Sequence, residues 1–133
     1  MIAGVADTHT VLWYLFADAR ISVAAKSFIN EASASRQKIA VSSISLAEVV
    51  YLIEKGRLPA LAYDAVTAAL EDPEHVFTEA VLSAAIVRSM RSVSRAEVPE
   101  MPDRIVAATA AYFDVPVISR DRRILASSIK TVW

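Results

Sequence analysis

A chain of 133 residues is enough for one packed domain and too short for two with separate cores. With 55% hydrophobic residues and only two glycines it is neither disordered nor suited to an all-β fold built on glycine turns, and the absence of cysteine excludes disulfides and thiolate metal sites. A net charge of −1 supplies no general attraction to polyanions, so binding of nucleic acid would need a local basic cluster or a bound cation.

The apolar run at 2–6 predicts a buried strand, and residues 8–16 then bring aliphatic and aromatic side chains at helical spacing. From Ile21, the residues Ala24, Ala25, Phe28, Ile29 and Ala32 continue one helical stripe, which predicts a second helix. The run 38–42 reads as another strand, followed by an apolar helix that stops at Gly56 and a further helix that ends at Pro73. Residues 75–80 form a weaker strand candidate, 79–90 a helix, and the polar stretch 91–102, with Pro99 and Pro102, a loop. An alanine-rich helix from Asp103, a strand over 115–119 and a last short strand at the C-terminus complete the pattern. Strands alternating with helices throughout predict a single α/β domain, 1–133, with a parallel sheet and helices on both faces. In such sheets ligands sit outside the carboxyl ends of the strands. There is no basic, apolar and cleavable leader pattern and no apolar run long enough for a membrane span, so the chain is expected to be soluble and cytoplasmic.

Four acids belong near that edge: Asp7 after the first strand, Glu48 one turn into the helix after the second, Asp103 at the start of a helix, and Asp121 after the strand 115–119. Each has a local alternative. Asp7 or Thr8 suits a helix N-cap, Ser45 and Glu48 have the spacing of a capping box, Asp103 complements a helix dipole, and Asp121 fits a turn or cap. Thr8 could cap the first helix while Asp7 faces an ion. No clear strand precedes Asp103, so its place at the edge is the least supported. Carboxylates gathered at one point raise one another's pKa unless a cation sits among them, and Mg²⁺ or Mn²⁺ suits an all-oxygen site. Such an ion activates water and offsets charge on a phosphodiester. Arg104 beside Asp103, and Arg120, Arg122 and Arg123 around Asp121, are candidate contacts to substrate phosphates or simply surface charge. His9 is a further candidate for phosphate or leaving-group contact. Glycine-rich phosphate loops, a serine elbow, a cysteine nucleophile and a paired-histidine zinc site are all absent.

Four stretches, DTHTVLWYL from Asp7, SSISLAEVV around Glu48, MPDRIVAATA around Asp103 and PVISRDRRI around Asp121, occur in order along the whole chain. Together they resemble the motifs of PIN-domain ribonucleases, specifically the toxin subunits of VapBC-type toxin–antitoxin pairs. The resemblance implies a three-layer α/β/α sandwich around a parallel sheet of about five strands. It also implies a Mg²⁺- or Mn²⁺-dependent endoribonuclease that inhibits translation by cutting RNA. Carried over, Asp7, Glu48, Asp103 and Asp121 form the acidic site, with Asp7 and Asp103 the first choices for direct metal contact and Ser119 and Thr8 in support. A homodimer and an antitoxin whose C-terminal segment covers the site are further implications, and the apolar helices between Ile44 and Leu70 suit either a dimer face or ordinary core. Ser119 stands where threonine is common, and the stretch before Asp103 departs from the pattern of some relatives, which leaves open what Glu97 and Glu100 contribute. The alternatives are a non-catalytic module that docks a partner on the acidic edge, or a phosphatase or receiver-like domain with Asp7 as nucleophile. The second would want a lysine after a late strand, where this chain has arginines.

Overall fold

The computed structural model describes residues 1–133. The apolar runs become five strands, β1 (Ile2–Ala6), β2 (Lys38–Ser42), β3 (Phe77–Ala80), β4 (Val117–Ile118) and β5 (Thr131–Val132), all parallel in the order β3-β2-β1-β4-β5. Between them run α1 (Thr8–Leu15), α2 (Val23–Ala34), α3 (Ser43–Glu54), α4 (Leu61–Glu71), α5 (Ala84–Ser89), α6 (Met101–Phe113) and α7 (Arg122–Ala126), with one turn of 3₁₀ helix at Met90–Ser92.

Alternation along each strand divides the core into two. Ala6, Ile39, Val41, Phe77 and Ile118 face one side and pack with Val11 and Leu12 of α1, Ala25 and Ile29 of α2, Val49 of α3 and Val66 of α4. Their neighbours Val5, Ala40, Ala80 and Val117 face the other side and meet Ile86 of α5, Val106 and Ala107 of α6 and Ile124 of α7. This is the pleat of a sheet buried on both faces, and it makes the molecule a three-layer α/β/α sandwich.

Local chemistry starts the helices where the chain leaves a strand or turn. Ser22, Ser42 and Ser83 accept hydrogen bonds from Ala25, Ile44 and Ile86 N–H at 3.0, 3.2 and 3.3 Å, capping α2, α3 and α5. Pro102 falls in the first turn of α6, where its fixed φ and missing donor do no harm, so the loop expected to run to residue 102 ends at Glu100 instead. The helix expected from Glu79 begins only at Ala84, because Glu79 and Ala80 remain in β3, paired with Val41 and Ser42. The short helix α7 has no counterpart in the sequence reading.

Gly4 lies at a close approach in β1. A Cβ there would meet the Phe28 ring at 3.0 Å and the Pro116 carbonyl oxygen at 3.3 Å.

Candidate active site

The strand order reverses at β1: the chain steps outward through β2 to β3, then crosses back to place β4 on the other flank of β1. The carboxyl ends of β1 and β4 therefore border the crevice where open α/β sheets bind ligands. Asp7 follows β1 directly, Ser119 follows β4, and Asp121 caps α7 two residues on. Glu48 reaches the same place from α3, and Asp103 from the first turn of α6. Asp7, Glu48, Asp103 and Asp121 all line one cleft of about 980 Å³. Asp103 thus reaches the strand edge from a helix that follows no strand of its own.

Hydrogen bonds hold Asp7, Glu48 and Asp121 individually. Asp7 uses Oδ1 to cap α1, accepting from Thr10 N–H at 3.0 Å, and its Oδ2 accepts from the Ser119 hydroxyl. The cap is therefore Asp7 itself and not Thr8. Thr8, buried, donates instead to Glu48 Oε1 at 2.6 Å and shares a 3.0 Å hydrogen bond with the Ser45 hydroxyl. Glu48 is consequently turned toward α1, and the N-cap of α3 is Ser42, so no capping box forms at Ser45. Asp121 Oδ1 accepts from Arg123 and Ile124 N–H at 2.9 and 3.0 Å, while its own N–H donates to Ser119 Oγ at 2.9 Å. Ser119, fully buried, thereby links the turn after β4 to the carboxylate after β1. The Thr10 hydroxyl, donating to the Ile118 carbonyl at 2.9 Å, ties the same two strand ends together.

Asp103 carries the electrostatic cost of this gathering. Burial, and then the charges of Asp121, Glu48, Asp7 and Glu100, push its carboxyl up to about 6. Glu100 thus adds to the negative field from the N-cap of α6, whereas Glu97 accepts a 3.2 Å hydrogen bond from Ser128.

No three histidine, aspartate or glutamate side chains converge closely enough to hold an ion by themselves. Caps and hydroxyls hold Asp7, Glu48 and Asp121 beside an opening instead, with Asp103 facing it from α6. The donor set still fits Mg²⁺ or Mn²⁺: the four acids offer carboxylate oxygens, and Mg²⁺ characteristically keeps several waters and binds only one or two carboxylates directly. The mutual repulsion registered at Asp103 is what a cation in the opening would relieve.

Basic and aromatic residues line the rest of the cleft: His9, Trp13, Arg20, Arg120 and Arg122. His9 is exposed, its ring 5.6 Å from that of Trp13. Arg104 is not among them. Its guanidinium donates to the carbonyls of Met90 and Val93 at 2.8 and 3.0 Å, bracing the loop before α6, so the expected phosphate contact is set aside in favour of that bracing role. Arg20 has no signal in the sequence, and Ser45, expected in a capping box, instead bonds Thr8 beside the site. Arg20 follows a helix and a turn that carry it back to the cleft, and no spacing in the chain signals that return.

The geometry can be set beside known proteins. A family model described as the PIN domain matches residues 5–128. The chain belongs to the PIN-domain family. This PIN domain is similar in fold to a VapBC complex from Rickettsia felis bound to a DNA fragment from its promoter, with 17% identity, a TM-score of 0.68 and coverage of 98% of this chain and 97% of that one. It is likewise similar to a toxin–antitoxin complex from Klebsiella pneumoniae, with 22% identity, a TM-score of 0.65 and the same two coverages. No curated protein sequence matches it.

Proposed function

We propose that this PIN domain is a metal-dependent endoribonuclease and the toxin of a type II toxin–antitoxin pair, cutting RNA and so inhibiting translation. The observation that carries the reading is the convergence of Asp7, Glu48, Asp103 and Asp121 on one cleft at the switch point of the sheet. Membership of the PIN family and fold similarity to two toxin–antitoxin complexes support it.

When bound, Mg²⁺ or Mn²⁺ would supply charge neutralisation at the scissile phosphate and make a water easier to deprotonate for attack on it. Asp7 and Asp103 are the residues to hold the ion, with Glu48 and Asp121 acting directly or through water. Ser119 fixes the rotamer of Asp7 and Thr8 that of Glu48, so both carboxylates wait in place instead of reorganising during the reaction. Arg120 and Arg122 contact RNA phosphates. The antitoxin's segment covers the cleft, and exposed Val50, Tyr51, Leu61 and Tyr63 of α3 and α4 form a homodimer face in the cytoplasm.

The test incubates the purified protein with tRNA, rRNA and mRNA, with Mg²⁺, Mn²⁺ or EDTA, beside Asp7→Asn and Asp103→Asn. Metal-dependent cuts lost in both variants, and growth arrest on expression without the partner, are expected. No cleavage together with harmless expression would overturn the reading; cleavage or toxicity unchanged in both variants would place the acidic edge in docking instead of catalysis.

A further inference from the structure

A cleft lined by four carboxylates repels the polyanion it is proposed to cut, and one wall of it carries an arrangement that answers this repulsion. The guanidinium carbons of Arg20 and Arg120 lie over the Trp13 ring, 5.1 and 4.8 Å from its centroid. Trp13 is only 7% exposed and packs against the rings of His9 and Trp133, so it is a fixed base for the two cations and offers little face to a nucleotide. Arg20 is further held by a fork to Asp18, Nε to Oδ1 at 3.0 Å and Nη2 to Oδ2 at 2.8 Å, while Asp18 Oδ1 also accepts the Arg20 backbone N–H at 2.9 Å. That fork uses one edge of the guanidinium and leaves the other open. Arg120 is exposed and forms no salt bridge, because the chain's one ion pair is Arg20–Asp18.

Two guanidiniums stacked on one buried indole, both lining the acidic cleft, have lost much of the side-chain freedom that weakens surface arginines as ligands. Their planar donors match phosphate oxygens. We propose that Arg20 and Arg120, stacked on Trp13, form a clamp for a backbone phosphate of single-stranded RNA flanking the bond that is cut. The clamp rests on the nuclease reading and adds to it Arg20, a binding residue that belongs to none of the four acidic stretches. A phosphate is the occupant that fits because it must approach past the acids, and a preset pair of cations beside them turns a repulsive approach into a directed one.

The test measures binding of a fluorescent single-stranded RNA by anisotropy across a salt titration, on the Asp7→Asn background so that no RNA is consumed, and cleavage kinetics on the otherwise native chain. Arg20→Ala is expected to weaken binding about tenfold and to lower the slope of log affinity against log salt by about 0.7, the loss of one phosphate contact on a single strand. In cleavage it raises KM by a similar factor with a smaller effect on kcat. Arg20→Lys keeps the slope and loses part of the affinity, since an ammonium neither forks nor stacks in the same way. Lysine equal to arginine in affinity would overturn the stacked geometry. Cleavage by the native chain with affinity, slope and KM unchanged in Arg20→Ala would overturn the clamp and leave the nuclease standing. A native chain that neither binds nor cuts RNA would overturn both. Arg20 is 61% exposed, so its replacements are expected to keep the fold, which circular dichroism checks.

Discussion

Asp7 serves two neighbours with its two oxygens, the α1 cap through Oδ1 and Ser119 through Oδ2, so capping and metal binding are not competing accounts of it. Asparagine caps as well as aspartate but loses the charge. Asp7→Asn keeps the cap but turns an amide N–H toward Ser119 in place of an acceptor oxygen, so it should lose about 1 kcal/mol of stability and on the order of a thousandfold in cleavage; Asp7→Ala loses both partners and should cost about 2 kcal/mol with the same loss of activity, read by urea unfolding. The supporting hydroxyls give a graded outcome. Ser119→Ala and Thr8→Val free a carboxylate without removing it and should cost roughly 10–100-fold in activity, whereas Ser119→Thr, which keeps the donor, should retain most of it. Asp103 makes a pH prediction. Its folded carboxyl sits at about 6 against an ordinary 3.8, so the folded state holds its proton more tightly than the unfolded chain. That contribution is fully present below about 3.8 and is lost as pH rises through about 6. In EDTA at pH 7, Asp103→Asn should accordingly be more stable than wild type, by about 1–2 kcal/mol once the screening of a half-exposed group is allowed for, with the gain vanishing toward pH 4. Denaturant titrations of both proteins across this range decide it.

Among the elements, the strand runs at 2–6 and 38–42 were legible to the residue because β-branched and small apolar residues buried on both faces leave a continuous signal. Helix α7 was not, since five residues, two basic and three apolar, are too few to show a periodicity, and the helix depends on Asp121 capping two N–H groups. The late start of α5 was hidden too, because strand pairing with β2 overrode helical propensity at Glu79 and Ala80. Backbone requirements at this scale are testable. Gly4 faces the Pro116 carbonyl, which is fixed by accepting the Val5 N–H at 3.0 Å and cannot retreat, so Gly4→Val should destabilise by about 2 kcal/mol or more. Arg36, exposed, adopts a left-handed φ of 56° after α2, and Arg36→Gly should stabilise by roughly 0.5–1 kcal/mol in thermal or urea melts.

For the molecule as a whole, the parallel crossovers bring to one crevice residues that lie 41, 55 and 18 positions apart along the chain, from Asp7 through Glu48 and Asp103 to Asp121. A cation that binds only this assembled state must stabilise the fold by mass action. Saturating Mg²⁺ or Mn²⁺ should raise the melting temperature of wild type by several degrees, and that of Asp7→Asn or Asp103→Asn by much less, in differential scanning fluorimetry. An equal rise in all three would mean that the ion binds elsewhere.

Apolar runs, helical periodicity and caps are short-range signals, and by themselves they determined the α/β alternation, the parallel sheet and the positions of Asp7, Glu48 and Asp121 near strand ends, while Asp103, with no strand before it, needed the motif pattern. Motif order along the whole chain supplied the family. Only the tertiary structure decided which atom each acid offers: Thr8 bonds Glu48 across two helices, Ser119 reaches Asp7 from the neighbouring strand, and Arg104 turns to loop carbonyls while Arg20 folds back onto Trp13. These partners are set by how helices cross the sheet, and a side chain's direction after such a crossing depends on packing that no local pattern encodes.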